Sequence, residues 1–252
     1  MNPLEGLGVL VTRPEHQGRT LEARLEAAGA RVHRLPAVTI EPLACEAQID
    51  AATEPAWVVY VSANAVRHGV QLLAGCRGAR IAVVGPATAA ALATAGHHVS
   101  LVPAQGYDSE HLLASPEFAA VAGQVILIVR GRGGRELLAD TLRARGARVQ
   151  YAEVYERRRA CPAPAVLAAI EAAWGRGEID VVTATSVELL AALQALLDPA
   201  GRALLARTAI LAGGARIAAA ARASGCAGPI LVATRPDDAG LLEALAEWWR
   251  HT

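Results

Sequence analysis

VLVTRPEHQGRTLEARLEAAGARV at residues 9–32 and ILIVRGRGGRELLADTLRARGARV at residues 126–149 are the same segment written twice. Aligned without a gap, nine of the 24 pairs are identical, among them Arg13/Arg130, Leu21/Leu138, Leu25/Leu142 and the closing Gly-Ala-Arg-Val. A strand-sized apolar run, an arginine, a polar turn and leucines at helical spacing that stop at glycine predict a strand feeding a helix in each copy. Two copies imply two similar halves, with a ligand expected between them.

The repeat continues beyond this unit. WVVYVSANAV (57–66) is answered by DVVTATSVELLAAL (180–193), IAVVGPATAAALATAG (81–96) by AILAGGARIAAAARASG (209–225), and VSLVPAQGYDSEHLLA (99–114) by ILVATRPDDAGLLEAL (230–245). Each is an apolar run, a small or polar turn and a helical pattern, so the fold class is α/β with parallel sheets covered on both faces. RLPAVTIEPL (34–43) and RVQYAEVYERR (148–158) follow the two copies and read as a pair of extended linkers. Periodicity alone leaves open whether the halves are tandem domains divided near Gly123 or whether the chain crosses between them at both linkers.

Composition narrows the function classes. With 53% hydrophobic and 19% charged residues, the 252-residue chain is a folded protein of one large or two ordinary domains. No apolar run is long enough for a bilayer and no signal-peptide pattern opens the chain, so a cytoplasmic protein without membrane contact is expected. Cys45, Cys76, Cys161 and Cys226 lack ligand spacing and read as reduced thiols. Twenty-four basic residues balance 24 acidic ones, which argues against a nucleic-acid partner.

Ligands of parallel α/β sheets bind beyond the carboxyl ends of strands, where helix starts present backbone N–H groups. The residues expected there are Ser62-Ala63-Asn64, Gly85-Pro86-Ala87-Thr88, Gly131-Arg132-Gly133-Gly134, Thr185-Ser186 and Gly213-Gly214-Ala215-Arg216. Helix capping explains any one of them; five in two matching halves suggest a surface for an anion. A dinucleotide motif fails because Glu136 stands where its third glycine belongs, and no P-loop Lys-Ser/Thr follows. His97-His98 has no companion at metal-ligand spacing and reads as a solvated turn, Trp248-Trp249 as docking residues of the last helix. Arg157-Arg158-Arg159 reads as a solvated charge run or the lining of an anion cleft.

In this order, VLVTRP, VSANAV, VVGPATAAAL, YDSEHLL, VRGRGGRELLADTLRARGARV, VYERR, TATSVELLAAL and GGARIAAAA resemble the uroporphyrinogen-III synthase family, from about residue 8 to 248. The resemblance implies two α/β domains joined by a two-stranded ladder, with the chain crossing twice. Residues 1–33 and 160–252 would form one domain, 41–148 the other, and 34–40 with 149–159 the ladder. It also implies closure of hydroxymethylbilane to uroporphyrinogen III without metal or organic cofactor. Water leaves ring A, the substituted α-carbon of ring D attacks to give a spiro intermediate, and the macrocycle recloses with ring D inverted.

The family's linker tyrosine corresponds to Tyr155, with a role in assisting hydroxyl departure, and Ser62 and Thr88 correspond to site-lining residues. Arg216 stands where many members carry threonine. The substrate-binding set expected is thus Arg13, Ser62, Ala63, Asn64, Gly85, Pro86, Thr88, Arg130, Gly131, Gly133, Ser186, Gly214 and Arg216, with Arg13 and Arg130 facing a cleft from separate domains. The expected chain is a monomer, in transient contact with the preceding pathway enzyme. The alternative weighed against it is a non-catalytic bilobal module that binds an anionic small molecule.

Overall fold

Both copies of the repeat fold as strand–helix–strand in the computed structural model, which describes residues 2–44 and 54–252. The first is β1 (Gly8–Val11), α1 (Glu15–Ala27) and β2 (Arg31–Arg34); the second is β6 (Val125–Gly131), α5 (Leu137–Ala144) and β7 (Arg148–Arg159). The shared Gly-Ala-Arg-Val is the same helix stop used twice. Gly29 and Gly146 take φ of +94° and +84°, and the next N–H groups, of Ala30 and Ala147, donate back to the carbonyls of Leu25 and Leu142 at 3.0 Å. Glycine at this left-handed position ends the helix without a Cβ clash. The repeated leucines, Leu21, Leu25, Leu138 and Leu142, are all buried.

The chain divides into two compact units, Met1–Thr39 with Arg158–Thr252, and Ile40–Arg157. The larger adds α6 (Pro164–Gly175), β8 (Val181–Ala184), α7 (Val187–Leu196), α8 (Pro199–Arg207), β9 (Ala209–Ala212), α9 (Ala215–Ala223), β10 (Ile230–Val232) and α10 (Asp238–Trp249). Its five strands lie in the order β10-β9-β8-β1-β2, every neighbouring pair parallel. Side chains alternate between two cores. Leu10, Val182 and Ile210 join one, while Val9, Val11, Val181 and Leu211 join the other, against which Trp248 and Trp249 pack. Such near-continuous apolar strands are what two covered faces require.

The second unit holds β4 (Trp57–Tyr60), α2 (Ala63–Gly69), β5 (Arg80–Val83), α3 (Pro86–Thr94) and α4 (Ser109–Leu113) besides the second copy of the repeat. Its sheet runs β3-β7-β6-β4-β5, β3 being Val38–Pro42. The order β7-β6-β4-β5 repeats β2-β1-β8-β9 with each member in its duplicated place. The counterpart of β10 is reduced to one bridge, Leu101 to Ala82, because Pro103 offers no N–H to extend it.

The two segments read as linkers are β3 and β7, neighbours in the sheet. Leu43 N–H donates to Val154 O and Ala160 N–H to Ala37 O, so the numbers run oppositely and the pair is antiparallel. Segment 149–159 is at the same time a sheet strand, paired in parallel with β6 as far as Gly131 and Tyr155. Helix α8 has no counterpart in the sequence reading, although Asp198 and Pro199 are a cap and first-turn pair. Cys45 lies outside the described residues. No helix among the described residues is long and apolar enough to cross a membrane.

Candidate functional site

In each unit the chain leaves a central strand to one side and later returns to the other. The reversal falls between β1 and β8 in the first unit and between β4 and β6 in the second. The crevice beyond the carboxyl ends at such a point is where open α/β sheets take ligands. In the second unit a cleft of about 250 Å³ lies there. Val61 and Ser62 follow β4, Arg130 to Arg135 end β6 and begin the next loop, and Tyr151, Tyr155 and Arg157 come from β7; Ser109 opens α4 beside them.

Tyr155 reaches this cleft by an irregularity of its strand. The register runs Arg130↔Glu153 and then Gly131↔Tyr155, so Val154 is an extra residue. Strict alternation would send Tyr155 to the face of Tyr151. The bulge instead places it with Val154, Ala152 and Val129 in the core on the opposite face, 5% exposed. Its ring lies against Gly131, where a Cβ would stand 2.5 Å from Cζ. Its hydroxyl is 3.2 Å from Ser62 Oγ, and its ring centroid is 6.0 Å from that of His68. Ser62 caps α2, accepting the Ala65 N–H at 3.0 Å.

Arg130 is buried and committed to its own loop. It pairs with Glu136 at 2.9 Å and lies over the Tyr151 ring at 4.4 Å, while the Tyr151 hydroxyl donates to the other Glu136 oxygen. The Tyr151 hydrogen bond, then Arg130, hold the Glu136 carboxyl below its usual range; burial, then the bond to Glu136, pushes Tyr151 up. The proton therefore stays on the phenol. The exposed arginines are balanced as well, Arg132 by Glu153 and Glu156 at 3.5 and 3.4 Å, Arg135 by Glu110.

The glycine-rich turn is not a helix start, as the sequence suggested. Gly131 ends β6, residues 132–136 form a loop with Gly133 at φ +65°, and α5 begins only at Leu137. In the first copy Pro14, with φ −47°, leads directly into α1. Gly85 caps α3, with Pro86 in its first turn and Thr88 buried behind it. Tyr107, 66% exposed, packs its Cβ over Gly85. Ala63 and the buried Asn64 open α2.

The first unit carries its own set. Arg13, at the end of β1, donates to Thr185 Oγ1 at 3.3 Å and pairs with Asp238 at 2.5 Å. Ser186 caps α7, accepting the Leu189 N–H at 3.1 Å. Gly214 caps α9, whose first turn holds the exposed Arg216. Ser62, Arg130, Gly131, Gly133 and Tyr155 thus share one crevice, and Arg13 and Ser186 follow neighbouring strands of the other sheet. Among the cleft residues, Ser109, Arg135 and Tyr151 were not singled out beforehand. Among the described residues no group of three or more His, Cys, Asp or Glu could hold a metal ion.

Solved structures share this architecture. A mutant uroporphyrinogen III synthase from Thermus thermophilus aligns over 98% of this chain and 100% of its own, with a TM-score of 0.60 and 21% identity. Uroporphyrinogen-III synthetase from Helicobacter pylori aligns over 97% and 99%, with a TM-score of 0.63 and 13% identity. At the level of sequence, the chain is 33% identical to uroporphyrinogen-III synthase of Escherichia coli over 95% of its own length and 100% of the relative's. It is 35% identical to that of Synechococcus elongatus over 64% of its length and 63% of the relative's. The family model described as uroporphyrinogen-III synthase HemD matches residues 19–243, which include the whole second copy of the repeat and the Tyr155 crevice, and the chain belongs to the uroporphyrinogen-III synthase family.

Proposed function

We propose that this chain closes hydroxymethylbilane into uroporphyrinogen III, with loss of water and inversion of ring D. The observation that carries the assignment to a place is the Tyr155 hydroxyl beside Ser62, in a crevice rimmed by Arg132, Arg135 and Arg157. The substrate's eight carboxylates compete with Glu153, Glu156 and Glu110 for the exposed guanidinium groups, and an Arg–carboxylate pair is directional as well as charged. This lets a chain of zero formal net charge hold a strongly anionic ligand. Arg130, Gly131 and Gly133 shape the crevice, while Ala63, Asn64, Gly85, Pro86 and Thr88 form the adjoining helix starts. Arg13, Ser186, Gly214 and Arg216 are the corresponding contacts of the other unit.

In the reaction, Tyr155 donates its O–H to the departing hydroxyl of ring A as the C–O bond breaks. The azafulvenium left behind is attacked by ring D, and the proton released as the macrocycle recloses returns to the phenolate. The substrate's own electron-rich pyrroles drive bond formation, so the protein contributes chiefly by holding ring D where spiro attack precedes direct closure. The enzyme works in the cytoplasm as a monomer and meets the preceding pathway enzyme transiently.

Supplied with hydroxymethylbilane, the purified chain should raise the type III fraction far above that formed spontaneously. Type I isomer alone refutes the assignment, and tetrapyrrole binding without turnover would mark a non-catalytic module instead. Tyr155→Phe should slow turnover with the melting temperature held; unchanged turnover removes Tyr155 from the reaction.

A further inference from the structure

Ser62 is more than a helix cap. Its oxygen is already fixed on one side by the Ala65 N–H at 3.0 Å, and on the other it faces the Tyr155 hydroxyl at 3.2 Å. A serine hydroxyl that accepts a backbone N–H still holds one hydrogen to give. Tyr155 likewise has a single hydrogen. If the phenol spends it on Ser62, none is left for a ligand; if Ser62 is the donor, the phenol oxygen is satisfied and its own O–H is free to turn outward.

We propose that Ser62 is a positioning residue that donates to the phenol oxygen of Tyr155, so that the tyrosine proton is kept for the hydroxyl leaving the substrate. The bonds run in one direction, from Ala65 N–H to Ser62 Oγ, from Ser62 O–H to Tyr155 Oη, and from Tyr155 O–H to the departing oxygen. Hydrogen bonds in such a chain polarise one another, so each donor is stronger than it would be alone. Two other contacts hold the phenol in line. The bulge at Val154 aims the ring, and Gly131, lacking a Cβ, lets it approach the backbone closely. This role rests on the proposed reaction, and it assigns Ser62 to the tyrosine rather than to a substrate carboxylate.

The test is a double-mutant cycle on kcat and KM for hydroxymethylbilane, with wild-type isomer composition measured alongside. Ser62→Ala should lower kcat roughly three- to tenfold, the worth of one hydrogen bond, and leave KM within about twofold, well below that change. Ser62→Thr, which retains the hydroxyl, should restore most of the loss. In a Tyr155→Phe background, Ser62→Ala should lower kcat no further. Because alanine also removes the α2 cap, Ser62→Gly serves as a second variant, since glycine is tolerated at that position. A raised KM with intact kcat overturns the proposal in favour of direct substrate binding. A full repeat of the kcat loss in the Tyr155→Phe background overturns it in favour of a cap effect alone. Wild-type protein that forms only the type I isomer instead refutes the reaction on which the inference depends.

Discussion

Tyr155 lies so close to Gly131 that no side chain fits between them: a Cβ on Gly131 would stand 2.5 Å from Cζ, 2.6 Å from Cε2 and 3.0 Å from the hydroxyl. Both belong to paired strands, so neither can retreat without breaking the register at the bulge. Gly131→Ala should therefore displace the phenol from Ser62. We expect a loss of turnover at least equal to that of Tyr155→Phe, with a stability cost of about 1–3 kcal/mol, as for overpacking elsewhere. Chemical denaturation beside the isomer assay checks it. Full activity in the alanine variant would mean that the ring's place against the glycine is not needed.

Glu136 braces the loop that Gly131 opens, receiving Arg130 and Tyr151 on its two oxygens. Its carboxyl is held below the ordinary 4.5, first by the Tyr151 hydrogen bond and then by Arg130. A depressed folded-state value means that the charged form supports the fold. That support is complete above about pH 4.5 and disappears as the pH falls through the lower folded value. Glu136→Gln should thus melt below wild type at pH 7, with the gap closing as the solution is acidified past this point. A gap that stays constant down to pH 3 would show that the charge does not contribute. The variant should also raise KM, because the loop carries Arg132 and Arg135 into the crevice.

Much of the architecture was legible because the repeat writes the same physics twice. Leucines at helical spacing, a glycine stop and apolar strands fix each βα unit locally. The site was less legible, for reasons that particular residues show. Tyr155 could be picked as a candidate, but alternation along β7 assigns it the wrong face; only the extra Val154 turns it round, and a bulge leaves no mark in a single sequence. Arg130 and Arg13 occupy matching positions and were expected to face a ligand. Each is instead engaged by a carboxylate, Arg130 by Glu136 of its own loop and Arg13 by Asp238, brought by tertiary folding from 225 residues away. The glycine-rich turn was placed one step too near its helix, because glycine loosens a chain that Pro14 tightens in the first copy.

Burial makes a prediction about the thiols. Cys76 and Cys226 sit in the cores of their units, and burial pushes both thiols up, with Glu54 adding to the effect at Cys76 and Ser224 opposing it at Cys226. Cys161 is exposed. Thiolate is the reactive form, and burial both suppresses it and blocks reagent at Cys76 and Cys226, while Cys161 is open to reagent. In a Cys45→Ser background at pH 8, an aromatic disulfide reagent should modify one thiol quickly and the other two only on unfolding. Cys161→Ser should remove the fast phase; a second fast thiol would reveal opening of one core.

Thr208 tests how far a single hydroxyl supports the larger unit. It accepts the indole N–H of Trp174 at 2.8 Å and donates in turn to Leu204 O at 2.8 Å, joining α6 to the end of α8. Both Trp174 and Thr208 are buried, so water cannot replace either bond. Thr208→Val keeps the volume but leaves the indole N–H without an acceptor, which should cost about 1–3 kcal/mol. Thr208→Ser keeps the hydroxyl and loses only a methyl group, about 0.8 kcal/mol by transfer. Denaturant unfolding should therefore rank wild type above the serine variant and the serine variant above valine. If valine proves the more stable of the two, packing rather than the hydrogen bond holds α6 and α8 together. Because Thr208 lies in the first unit and Tyr155 in the second, the isomer ratio of each variant should remain that of wild type wherever the protein is folded.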